Sequence, residues 1–441
     1  MSANETLKSL GMTVPEILLP REGIDLNKWA VIACDQYTSE KDYWENCAAH
    51  TAGSPSTLNL IFPECYLQEA HGEQRIASIH QAMKQYREEG VFAPPVKGFI
   101  LVKREAPGVE PRWGLVTALD LEAYDFHPAS ASLIRATEGT ILDRIPPRKK
   151  IRQNAPLELP HIMVLLDDPE GLVIESARQR VVNNQAPLYD FNLMFGAGRL
   201  TGYGVTGEED LNTLAGSLEE LWERGKAKTP AGKAPLLYAV GDGNHSLATA
   251  KAIWEDTKTT LPPREREDHP ARYALVELVN LYDRGITFEP IHRVLFGTDG
   301  AKTLKAMEEA LGPFSPLTND EAVSAAVKNA PAEAPVVGIA YEGTRGIITL
   351  RDPRVLPTAQ VQDWLDEYLK GDAVEDIDYI HGDQATFTLG DKLRSLGILL
   401  PAIEKDNFFA TILDRGVFPR KTFSMGEARE KRFYMEAREI L

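Results

Sequence analysis

The chain reads as a mixed α/β protein of the α+β class, with a main domain over residues 1–290 and a smaller α+β unit over 291–441. Three observations carry this expectation. Strand-like apolar runs alternate with segments of helical periodicity through the first two-thirds of the chain. Beyond Pro290 the texture changes to short helices around a hairpin. The chain has 441 residues, 43% of them hydrophobic, which is more than one core usually gathers.

Taken in order, Ile76, Ile79, Met83 and Tyr86 share one face, and Gly90 follows as a stop, so a helix is predicted over 72–89. Phe99–Val102 and Trp113–Leu119 flank a loop containing Pro and Gly and predict paired strands. Ile162–Leu166 predicts a short strand closed by the turn residues Asp167, Asp168 and Pro169. Leu211, Leu214, Leu218 and Leu221 place a helix over 208–224, ended by Gly225 and followed by a surface loop at Lys226–Ala234. Residues 235–256 predict strand, tight turn and helix. Later helices are expected near 301–311, 320–329 and 359–369, with a hairpin pairing Val336–Tyr341 with Gly346–Leu350.

The charge balance narrows the function. Sixty-five acidic against 48 basic side chains leave a formal charge of −17, which argues against a nucleic-acid partner held by Lys and Arg on phosphates. Cys34, Cys47 and Cys65 form no CxxC pair, so neither a disulfide framework nor a thiolate metal site is indicated. The first residues lack a signal pattern, and no segment approaches the roughly 18–20 apolar residues of a membrane span. A cytoplasmic protein without a membrane partner is expected. Nothing in the sequence sets its oligomeric state.

Three segments are candidates for chemistry. In the first, an apolar strand runs into Gly241-Asp242-Gly243-Asn244-His245-Ser246, where a helix begins. Gly241 and Gly243 permit positive φ or close backbone approach, and the new helix offers N–H groups and a positive dipole end to an anion. Asp242 is a candidate Mg²⁺ ligand or an orienter of His245, and Ser246 a helix cap or phosphate contact. The competing reading is a plain strand–turn–helix whose Asn and Ser merely cap.

The second segment holds Arg135, Glu138 and Thr140, then Arg144-Ile145-Pro146-Pro147-Arg148-Lys149-Lys150-Ile151-Arg152, a basic island in an acidic chain. Arg and Lys there suit a polyphosphate, and Glu138 is a candidate general base or metal ligand. The bland alternative is a solvated basic loop. The third segment is Gly416–Phe423, where Lys421 and Thr422 follow Pro419; it is either a piece that closes over a ligand or a β-edge. His161, His292 and His381 are spread without metal-ligand spacing and read as hydrogen-bonded structural residues. No P-loop, GxGxxG or GxSxG motif is present.

The stretches VIACDQYTSEKDYWE, SLIRATEGTILDRIPPR, LELPHIMVLLDD, VGDGNHSLATAK, EPIHRVL, DYIHGD and RGVFPRKTFSMGEA run nearly end to end, and in them the chain resembles the domain-of-unknown-function family DUF1015 of bacterial and archaeal proteins. DGNHSLATA is also similar to the D-G-x-H-R-x-x-A signature of the ParB/sulfiredoxin superfamily, which includes ATP- or ADP-dependent kinases of free serine. Asp242, Gly243, His245 and Ala248 match it, and Ser246 stands where Arg is usual. That resemblance implies a ParB/sulfiredoxin-like nucleotide-binding core elaborated with extra strands and helices. It implies ATP or ADP as a substrate with Mg²⁺.

The expected function is a small-molecule phosphotransferase. Asp242, Glu138 and His245 are its catalytic candidates. Gly241, Gly243, Asn244, Ser246, Arg135, Thr140, Arg144, Arg148, Lys421 and Thr422 are candidates for holding phosphate or nucleotide. A non-catalytic nucleotide-binding regulator and a phosphate-ester hydrolase are the alternatives.

Overall fold

The computed structural model describes residues 2–128 and 130–441. The chain divides into two compact units. The first comprises Met1–Ile286, Ile412–Gly416 and Glu427–Leu441, and the second Thr287–Thr411 and Val417–Gly426.

The first unit is organised by a ten-stranded mixed sheet. Its strands are β1 (Met12–Thr13), β2 (Phe99–Glu105), β3 (Arg112–Asp120), β4 (Tyr124–Asp125), β5 (Ile134–Ala136), β6 (Met163–Leu166), β7 (Tyr189–Asn192), β8 (Arg199–Val205), β9 (Tyr238–Asp242) and β10 (Tyr273–Asn280). Their order is β7-β8-β2-β3-β10-β6-β9-β5-β4, with β1 paired to β3. The β10–β6, β9–β5 and β5–β4 pairs are parallel, and the other pairs are antiparallel.

Alternation along β2 shows how the sheet is covered. Phe99 and Leu101 join one core cluster and Ile100 and Val102 another, because successive side chains leave a strand on opposite faces. The helix α1 (Gly72–Glu88) brings Ile79, Met83 and Tyr86 to the second cluster. The helices α3 (Glu208–Lys228) and α4 (Asn244–Thr260) bring Leu214, Leu218, Leu247 and Trp254 to the first. Each such buried side chain contributes about 1.5–3 kcal/mol.

Two local expectations are corrected. The helix over 208–224 continues through Gly225 to Lys228, because Gly225 does not take the left-handed conformation that ends a helix. The basic island is a helix, α2 (Ile145–Arg152), rather than a loop. Pro146 and Pro147 lie in its first turn, where their missing N–H groups cost nothing.

The second unit holds a seven-stranded antiparallel sheet. Its strands are β11 (Phe288–Phe296), β12 (Phe314–Pro316), β13 (Val336–Tyr341), β14 (Thr344–Thr349), β15 (Asp376–His381), β16 (Ser395–Leu399) and β17 (Phe423–Met425). Helices Gly300–Leu311, Asp320–Lys328 and Pro357–Tyr368 stand where helical periodicity predicts them.

Candidate functional site

The β9 strand is buried through Tyr238, Ala239 and Val240 and carries Asp242 at its C-terminal end. Gly243 then turns the chain with φ +77°, and a Cβ there would sit 3.0 Å from Ile162 Cα. Glycine thus serves both the left-handed turn and the close approach to the strand beside it. The α4 helix starts at Asn244 with no side-chain cap; the Ser246 and Leu247 N–H groups bond to the Gly243 carbonyl, and the positive dipole end of the helix faces the turn.

Two side chains of this turn clamp the loop after β5. The Asn244 Oδ1 atom accepts from the Thr137 N–H at 3.3 Å, while Asn244 Nδ2 donates to the Val240 carbonyl at 3.3 Å. The His245 Nε2 atom accepts the Ile141 N–H at 3.2 Å, which puts the proton of the neutral ring on Nδ1. Between these clamp points lie Glu138 and Thr140. Among the described residues the buried Thr140 Oγ1 atom has no hydrogen-bond partner.

Asp242 is committed within the protein. One carboxylate oxygen accepts the Gly243 N–H at 2.9 Å, and the other meets Lys431 Nζ at 2.9 Å. Burial alone would raise its pKa, but the Lys431 ammonium holds the carboxyl below the usual carboxylate range.

Ser246 does not cap the helix. Its Oγ lies 2.9 Å from His161 Nε2, His161 Nδ1 lies 2.8 Å from Tyr434 Oη, and the Cys34 N–H donates to that Oη at 3.2 Å. These four residues line a cavity of about 140 Å³. Its other walls are apolar side chains including Phe62, Ile79 and Met83, together with Thr249, Glu64, Arg148, Arg152 and Glu158. Burial pushes the Tyr434 phenol and the Cys34 thiol up, so both keep their protons at neutral pH.

The basic helix reaches the same cavity with Arg148 and Arg152, and three of its four cations are already paired. Arg148 Nε donates to Glu64 at 2.9 Å, Arg152 meets Glu158 at 2.5 Å, and Lys149 pairs with Asp256. Arg144 and Lys150 are exposed and make no ion pair among the described residues. Arg135 is buried and tied to the carbonyls of Ser132, Ala234 and Pro235, which makes it a tether of the backbone. Lys421 and Thr422 belong to the second unit. There Thr422 is buried with Oγ1 donating to the Pro419 carbonyl, and Lys421 is exposed with φ 54°. His292 of the same unit is a structural residue, held between Asp383 and the Leu400 N–H.

Among the described residues no group of three or more His, Cys, Asp or Glu side chains is placed to hold a metal ion. With Asp242 spent on Lys431, the donor set does not fit a resident Mg²⁺. No helix of the described residues is long and apolar enough to cross a membrane.

Over residues 18–368 the chain matches the family described as protein of unknown function DUF1015. The chain belongs to the DUF1015 family. None of the curated proteins matches this DUF1015 chain. Solved structures similar to it include SbnI with a C-terminal truncation from Staphylococcus aureus, at 10% identity and TM-score 0.36, covering 71% of this chain and 82% of that one. A free serine kinase in complex with AMP is similar at 9% identity and TM-score 0.36, over 73% and 90% of the two chains. A conserved hypothetical protein from Pyrococcus furiosus is similar at 10% identity and TM-score 0.36, over 74% and 94%.

The residues that sequence reasoning missed are His161, Lys431, Tyr434 and Glu64. His161 reads as structural because its partner Ser246 is 85 positions away. The Lys431-Arg432-Phe433-Tyr434 run carried a usable signal, a second basic and aromatic cluster near the C-terminus.

Proposed function

We propose that this DUF1015 protein transfers a phosphoryl group between small molecules, with the donor phosphate seated at the Asp242–Ser246 turn of the first unit. The carrying observation is the uncapped start of α4 behind left-handed Gly243, beside the orphaned Thr140 hydroxyl and a cavity that Ser246 enters. Phosphoryl transfer asks a protein mainly to position the groups and to neutralise charge, and backbone N–H groups with a helix dipole supply that where the nearby cations are already paired.

In this reading Gly241 and Gly243 let the backbone approach the phosphate, Thr140 donates to it, and Asn244 and His245 hold the 137–141 loop in register. Glu138 of that loop takes the acceptor hydroxyl proton. Asp242 and Lys431 keep the turn rigid. Serine is the acceptor to try first, on the DGNHSLATA resemblance. The donor is ATP or ADP, and no step is routed through a protein-held metal.

The test is incubation of the full chain with ATP, Mg²⁺ and a panel of amino acids, with detection of transferred phosphate. Transfer to a hydroxyl amino acid, lost in Glu138→Ala and Gly243→Val, is the expected result. Free phosphate alone indicates a hydrolase, and binding without turnover a regulator. Transfer that survives both substitutions contradicts the proposed site.

A further inference from the structure

We infer that Ser246 is a covalent nucleophile that carries the phosphoryl group between donor and acceptor, activated by His161 and positioned through Tyr434. This deepens the phosphotransfer reading above and rests on it. The geometry is that of an activated hydroxyl. A serine Oγ sits 2.9 Å from an imidazole nitrogen, and the other nitrogen is held at 2.8 Å by a phenol that is itself fixed by a backbone N–H.

The phenol completes a consistent set of hydrogen bonds. Tyr434 Oη accepts from the Cys34 N–H. In the tautomer that the proposal requires, Tyr434 Oη accepts from His161 Nδ1–H and Nε2 is the acceptor for the Ser246 proton. Tyr434 comes from the C-terminal segment and His161 from the residues before β6. Three distant stretches of chain therefore meet at one polar corner of a cavity whose other walls are largely apolar. Ser246 lies in the first turn of α4, and its hydroxyl faces His161.

In the first step Ser246 Oγ attacks the phosphorus of a small phosphomonoester or nucleotide. The Oγ proton passes to His161 Nε2, the Oγ–P bond forms, and the bond from phosphorus to the leaving oxygen opposite it breaks, that oxygen taking its proton from solvent while His161 keeps the Oγ proton. In the second step an acceptor hydroxyl attacks phosphorus and gives its proton to Glu138, which passes it to solvent, while the Oγ–P bond breaks and Ser246 takes its own proton back from His161. The net change moves the phosphoryl group from the donor oxygen to the acceptor hydroxyl, with no oxidation or reduction. The apolar walls at Phe62, Ile79 and Met83 favour a donor or acceptor with an apolar body.

The experiment uses the full chain with para-nitrophenyl phosphate and, in parallel, ATP. Samples are quenched in acid and analysed by intact mass and peptide mapping. The expected result is one acid-stable phosphoryl group per chain at Ser246, absent from Ser246→Ala and moved to the new residue in Ser246→Thr. The His161→Ala substitution should slow its formation by about a hundredfold or more. The Tyr434→Phe substitution should shift the pH profile of its formation while the chain stays folded by circular dichroism. Turnover that persists in a folded Ser246→Ala protein overturns the covalent step and leaves the phosphotransfer reading standing, as does label that is acid-labile. Absence of any transfer from either donor overturns both.

Discussion

Ser246 of the Asp242–Ser246 turn and Arg148 and Arg152 of the α2 helix line the same cavity of the first unit, and both segments look like anion sites in the sequence. They handle charge in opposite ways. The helix brings Arg148, Lys149 and Arg152, but each already has a carboxylate: Glu64, Asp256 and Glu158. The turn brings no free cation, since Asp242 is paired with Lys431, yet it leaves the start of α4 uncapped and the Thr140 hydroxyl unpartnered among the described residues. A run of basic residues is therefore a poor guide to where an anion binds when the same fold supplies the counter-charges. The phosphotransfer proposal therefore rests on the uncapped helix start and not on the basic run.

The largest expected effect comes from Gly243→Val in the turn. Its φ of +77° and the 3.0 Å approach to Ile162 combine backbone strain with overpacking, so stability should fall by about 2–4 kcal/mol in urea titration. Binding of ATP should be lost with it. Retained binding in this variant would remove the turn from the comparison.

Acid should come next. The carboxyls of Glu158, Glu277 and Asp242 are all held below their ordinary values, which are 4.5 for the two Glu and 3.8 for Asp. Burial alone would raise them, but in each case nearby Arg or Lys cations outweigh it. A depressed folded pKa gives stability that is complete above the unfolded value and lost as pH falls through the folded one. Urea midpoints should therefore hold steady down to about pH 5 and drop below pH 4. A midpoint that falls between pH 7 and 5 would contradict this.

A smaller loss is expected for Asp242→Asn. It leaves the Lys431 ammonium largely buried without its partner, at a cost of about 1–3 kcal/mol in the same titration. The smallest effect separates the two regions most sharply. The Arg148→Gln substitution should cost about 1 kcal/mol or less and change the affinity for ATP by less than about threefold, or about 0.7 kcal/mol. A tenfold loss would mean that the guanidinium leaves Glu64 to hold phosphate.

Much of the scaffold was legible because it depends on local periodicity. The α1 face of Ile79, Met83 and Tyr86, the β2–β3 pair and the strand–turn–helix at 238–260 follow from spacing and from Gly at the turns. The α2 helix was hidden by Pro146 and Pro147, which signal a break in general but suit a first helical turn. The site was only half legible. Asp242, Gly243 and Ser246 announce themselves in one motif, whereas their partners Lys431 and His161 stand 189 and 85 positions away. The basic island was legible only in part: sequence shows Arg148, Lys149 and Arg152 but not the Glu64, Asp256 and Glu158 that the fold sets against them.

The most direct test is a crystal structure of the full chain with a non-hydrolysable ATP analogue. Its terminal phosphate should lie at the first turn of α4, within hydrogen-bond reach of Thr140 and beside Ser246, with the Arg148–Glu64 pair intact. A phosphate bound instead by Arg144, Arg148 or Lys150, with the turn empty, would contradict the account.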